Sequence, residues 1–130
     1  MSLIKLSPPT LARALTASFF GIGGLLHFVL IDYFIAIMPA YLPWHRELVQ
    51  VSGVFELMGA LGILIPVTRQ WAAWGLIALC IAVFPANLNM ALHPDHFSSI
   101  PVALLYARLP LQLLIIWIVA KAGGLPNRSV

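Results

Sequence analysis

The chain holds four apolar runs, each close to the length that crosses a lipid bilayer, and only short polar breaks separate them. A hydrocarbon core about 30 Å thick takes roughly 20 helical residues at a rise of about 1.5 Å each. Within it every backbone N–H and C=O must be satisfied by the chain itself, so a run that spans has to be an α-helix. The runs predict spans over residues 11–30, 47–65, 71–92 and 100–120. The fold they predict is an all-α membrane protein, an antiparallel four-transmembrane-helix bundle forming a single domain over residues 1–130. Composition agrees, with 62% hydrophobic and 8% charged residues, which is more apolar surface than a soluble chain of this size can bury. The first run exceeds the roughly 7–15 apolar residues of a signal-peptide core and reads as a retained helix.

The connections carry their own signals. Ser7, Pro8 and Pro9 make a helix start, a capping hydroxyl ahead of prolines that need no amide partner in the first turn. The stretch IDYFIAIMPAYLPWHR, residues 31–46, is too short and proline-rich to span and too apolar for an ordinary loop. Asp32 can cap a short interfacial helix through Met38, ended by Pro39, with Tyr33, Phe34, Tyr41 and Trp44 as interfacial aromatics. It reads either as a lid over the bundle mouth or as a plain linker. The turn from Pro66 to Gln70 is short enough to force an antiparallel neighbour. Ala78, Ala82 and Ala86 form a small-residue stripe predicted to pack, and Pro85 removes one helical amide. The last span ends at Lys121, with Gly123 and Gly124 beyond it.

The formal net charge is +3, but the basic residues flank the apolar runs instead of clustering, which argues against nucleic acid. Lys5, Arg13, Arg69, Lys121 and Arg128 fall on one side against Arg46 on the other. The positive-inside rule then predicts a multi-pass protein of the cell (plasma or inner) membrane with both termini cytoplasmic. Trp71, Trp74 and Trp117 supply an inner aromatic belt. A lone cysteine, Cys80, sits in an apolar run and excludes an internal disulfide or a CxxC pair.

Polar groups inside the runs are few. Glu56 interrupts the second span and Arg108 the fourth, at about 13.5 Å and 12 Å from their outer ends by helical rise. An ionisable group at such depth costs about 2.5–3.5 kcal/mol and normally faces a partner or a cavity. With the second and fourth helices diagonal in a simple ring, a bidentate Arg108–Glu56 pair is the predicted arrangement. The pair reads as a clip between helices or as a ligand pocket opening away from the cytoplasm, and the sequence supports both. His27, Asn87 and Asn89 lie nearer the same outer surface, and Gln112 shares the Arg108 face. These six are the candidate ligand-binding residues, with no catalytic residue assigned. The alanine stripe favours Asn89 over Asn87 as the one facing the pocket. His27 and His93 lack paired haem ligands on both faces, and His93, Asp95 and His96 read as a solvated loop instead of a metal site. No Gly-rich phosphate loop or Ser-His-Asp order appears, so haem, nucleotide and metal are not expected.

One combination is more specific. Gly24-Leu25-Leu26-His27-Phe28, Asp32 and Phe34, Pro39-Ala40-Tyr41-Leu42-Pro43, Ser52-Gly53-Val54-Phe55-Glu56, Arg69 and Phe84-Pro85-Ala86-Asn87 together resemble the DoxX-like family of small four-helix membrane proteins, over roughly residues 20–97. Ile31 departs from the pattern, where relatives often have proline before the aspartate. The family's name comes from a membrane subunit of a thiosulfate:quinone oxidoreductase, and other relatives act in maturation, assembly or cargo handling of partner proteins. Carried over by position, Glu56, His27 and Asn87 match the family's polar positions, which favours Asn87 for the pocket. The resemblance implies a membrane subunit or accessory factor of a quinone-linked redox system, with a partner protein subunit and a quinone or other apolar small molecule as ligand. The alternatives are a non-catalytic assembly or cargo-binding factor, and binding or isomerisation of a lipid or sterol-like molecule at Glu56.

Overall fold

The computed structural model describes residues 7–97 and 100–125. Helix α1 spans Pro8–Val29, α2 Ile31–Ala36, α3 His45–Leu64, α4 Arg69–Leu92 and α5 Val102–Gly123, with a 3-10 turn at Pro94–Phe97, and no strand occurs among the described residues. Helices α1, α3, α4 and α5, of 20 to 24 residues, are long and apolar enough to cross a membrane. Their outward faces are apolar as well, as at Ile22, Met58, Ile81 and Leu113, each more than half exposed, a pattern compatible with a lipid bilayer. Lys5 and Arg128, counted in the charge asymmetry, lie outside the described residues.

Helix boundaries follow capping more than apolarity. The Ser7 hydroxyl accepts the Thr10 N–H at 3.4 Å and prolines fill the first two positions, so α1 starts at Pro8 instead of Leu11. Helix α5 starts after Pro101, at Val102 instead of Ile100, and ends on Gly124, whose φ of 71° lets its N–H turn back to the Ala120 and Lys121 carbonyls. Asp32 does not cap α2. The Leu30 N–H bonds the Leu26 carbonyl, so the chain passes from α1 into α2 across a single residue. Asp32 then sits exposed, 3.6 Å from Arg46, and α2 closes at Ala36 before Pro39 is reached.

The long helices form a ring in which α1 packs on α3, α3 on α4, α4 on α5 and α5 back on α1. The α1–α3 crossing is close because two glycines meet there. A Cβ on Gly24 would lie 2.9 Å from the Gly53 carbonyl oxygen, and one on Gly53 would lie 3.1 Å from that of Gly24. Two arginines tie helix starts to neighbouring helix ends, a placement that suits the negative C-terminal dipole. Arg13 donates to the Ala122 carbonyl at 3.2 Å, and Arg69 to those of Ile63 at 2.8 Å and Leu64 at 3.4 Å. At this end lies the larger core cluster, which includes Ala12, Phe20, Ile63, Leu76, Val119 and Ala122. A second cluster, Ile37, Met90 and Leu105 with Phe34 packed against it, lies at the end that carries α2. The predicted alanine stripe is not a packing face: Ala78 and Ala82 are exposed. Cys80, Ala73 and Leu76 turn inward in their place, because the buried face of α4 is set by contact with both α3 and α5.

Candidate functional site

Between the two core clusters the ring holds a partly open cavity of about 1070 Å³, lined from every helix and mostly apolar. That is just above the roughly 300–1,000 Å³ typical of small-molecule sites. Its polar side chains include His27, Tyr33, Glu56, Asn87, Arg108 and Gln112.

Glu56 and His27 are brought together by the glycine crossing. Each stands three residues beyond its glycine, Gly53 on α3 and Gly24 on α1, and so on the same face one turn along. The His27 Nδ1 lies 2.8 Å from Glu56 Oε2 and 2.7 Å from the Gly23 carbonyl oxygen. A carbonyl can only accept, so Nδ1 carries a hydrogen and this hydrogen faces two oxygens. It is aligned with the carbonyl, and Glu56 Oε2 is left buried with no aligned donor. Glu56 is 8% exposed. Its other oxygen rests against α1, where a Cβ on Gly23 would come within 3.3 Å of it. The His27 ring stacks on Phe34 with centroids 4.1 Å apart, which connects the pair to α2.

The predicted Arg108–Glu56 pair is not formed. Arg108 instead donates to the Tyr33 hydroxyl at 3.1 Å, and among the described residues no carboxylate lies within 4 Å of it. The reason is the ring: α3 and α5 are not neighbours, and the cavity lies between them, so both charged groups face the same space without touching. The close α1–α3 contact puts His27 in the position expected for the arginine.

The amides divide. Asn87 faces the cavity and donates to Gln112 Oε1 at 2.6 Å, while the buried Gln112 donates to the Cys80 carbonyl. This chain links α4 to α5. Asn89, favoured by the alanine stripe, turns away: it donates to the Ile37 carbonyl at 3.2 Å and lines a separate cavity of about 490 Å³ with His93 and His96. The two imidazoles stack there, 5.4 Å apart. Tyr33 and Phe34, read from sequence only as interfacial aromatics, are site residues. Of the two, only Phe34 was among the residues that carry the resemblance stated above, and no sequence signal singled out Tyr33. Among the described residues no three His, Cys, Asp or Glu side chains converge as a metal site would require.

The site therefore offers an apolar body, one hydrogen-bond acceptor without an aligned donor at Glu56, and one cation without an anion at Arg108. No curated protein matches the chain, and no solved structure does. A family model for a domain of unknown function, DUF8561, matches residues 15–122, from within α1 to within the last turn of α5, and the chain belongs to that family.

Proposed function

We propose that the chain is a multi-pass protein of the cell membrane, an antiparallel four-span bundle of DoxX-like kind with both termini cytoplasmic and α2 at the outer interface. In this reading the cavity holds an apolar small molecule with a polar head. A quinone is the ligand favoured, the chain serving as membrane subunit or accessory factor of a redox system whose electron carrier belongs to a partner subunit. The arginine ties support the antiparallel arrangement, since they set the start of α1 beside the end of α5 and the start of α4 beside the end of α3.

The observation that carries the reading is Glu56 Oε2, buried at the wall of a large apolar cavity with no aligned donor. A buried acceptor left in that state costs about 1–3 kcal/mol, which a ligand hydroxyl would recover. A quinol O–H suits it and can pass its proton to the carboxylate. Titrating the purified protein with a short-chain quinol analogue tests this. Glu56→Gln is expected to weaken binding about tenfold, some 1.4 kcal/mol, and equal affinity in both proteins would reject the quinone reading. A second reading, an assembly or cargo-binding factor, draws on Tyr41 and Trp44, 76% and 73% exposed next to α3. Crosslinking in native membranes should then capture a stoichiometric partner that Trp44→Ala releases.

A further inference from the structure

The cavity wall is not equally closed on all sides. None of the residues that line it from α4 is exposed, and from α3 only Leu48 is, at 37%. The residues that both line the cavity and reach the outer surface belong mainly to two facing helices: Leu15, Phe19, Ile22 and Leu26 on α1, and Leu104 and Leu111 on α5. On each helix they recur every three, four or seven residues, which makes a continuous edge. Helices α1 and α5 meet at their other ends, where Arg13 holds the Ala122 carbonyl and Ala12 and Phe20 share a core with Val119 and Ala122. Toward the opposite end of the bundle, residues of both helices line the cavity. Apart from Ser18, the exposed lining residues of α1 and α5 are hydrocarbon, so a molecule passing between them travels in the lipid phase.

Arg108 stands on the α5 edge. It is half-buried and lines the cavity, and its one side-chain partner among the described residues is the neutral Tyr33 hydroxyl. Tyr33 accepts in that bond and keeps its own O–H to donate. A guanidinium at such depth is held with most of its N–H donors unspent, a state that favours an incoming anion and its fork geometry. We propose that the cavity takes a single-chain amphiphile with an anionic head group, carboxylate or phosphate, directly from the bilayer between α1 and α5. Arg108 and Tyr33 hold the head, and the chain lies along the Leu15–Phe19–Leu26 face. The inference rests on the membrane-spanning part of the proposed function and not on the quinone.

The test uses the full chain in nanodiscs of zwitterionic lipid, with palmitate, palmitoyl lysophosphatidate and hexadecanol competing against a fluorescent long-chain carboxylate. At least one anion should bind about tenfold or more tighter than hexadecanol, and the tighter of the two identifies the head group. Arg108→Gln should abolish the preference, and Arg108→Lys should keep part of it, which separates charge from folding. Equal binding of alcohol and anions, or a preference that survives Arg108→Gln, overturns the anchor. Ala107→Trp, at the exposed rim beside Arg108, should slow uptake at least several-fold by stopped flow, and an unchanged rate overturns the side entry. A quinol titration on the same discs keeps the two ideas apart: absent quinol binding with intact anion preference rejects only the quinone, and the converse rejects only the anchor.

Discussion

His27 and Glu56 stand in contact, Nδ1 lying 2.8 Å from Oε2, and their energetics should show it. His27→Ala leaves the buried carboxylate without its neighbour and should lower the melting temperature in detergent. Glu56→Gln in the His27→Ala background should cost less than in the wild type, with a coupling of about 0.5–3 kcal/mol. Additive losses would mean that the 2.8 Å contact carries no energy. Thr16 presents the opposite case: its hydroxyl is buried with no partner. Thr16→Val removes an unsatisfied group at nearly constant shape, so the melting temperature should rise, by up to the equivalent of about 1–3 kcal/mol. The sequence offered Glu56, Arg108, His27, Asn87, Asn89 and Gln112 as candidate ligand-binding residues and left Asn87 and Asn89 as alternatives; all but Asn89 line the cavity. It misassigned the partners, because pairing depends on how each helix is rotated and how closely two backbones approach.

At the scale of elements, the α1–α3 crossing and the arginine ties organise the site. Gly24→Ala and Gly53→Ala place a methyl against a facing carbonyl, 2.9 and 3.1 Å away. Backbone cannot step aside as a flexible side chain can, so both variants should melt well below the wild type and separate His27 from Glu56. Gly75→Ala is the control. Its Cβ would meet nothing within 4 Å, and helix propensity predicts a gain of up to about 1 kcal/mol. Arg69→Ala strips the donor from the Ile63 and Leu64 carbonyls and should raise amide exchange in the last turn of α3 while α5 stays protected. Trp44 takes φ 53°, where a side chain costs about 1–2 kcal/mol. Trp44→Gly should therefore stabilise the detergent-solubilised protein, unless the indole anchors the loop in lipid.

For the molecule as a whole, the orientation proposed from its charges is open to direct measurement. Single cysteines at Ser7 and Gly124, in a Cys80→Ala background, should both resist a membrane-impermeant thiol reagent in intact cells and react after lysis, whereas one at Tyr41 should label from outside. Labelling of Ser7 and Gly124 on opposite sides would remove the even number of crossings. The sequence by itself determined that four helices are long and apolar enough to span, because helix formation in hydrocarbon is a local requirement and run length is a local property. Capping chemistry at Ser7 and at Gly124 was legible for the same reason. Only the tertiary structure decided that Glu56 meets His27, that Arg108 meets Tyr33 and that Asn89 leaves the cavity. Each of these follows from where helices distant in the chain touch, and that is set by two glycines at one crossing, not by any run of residues.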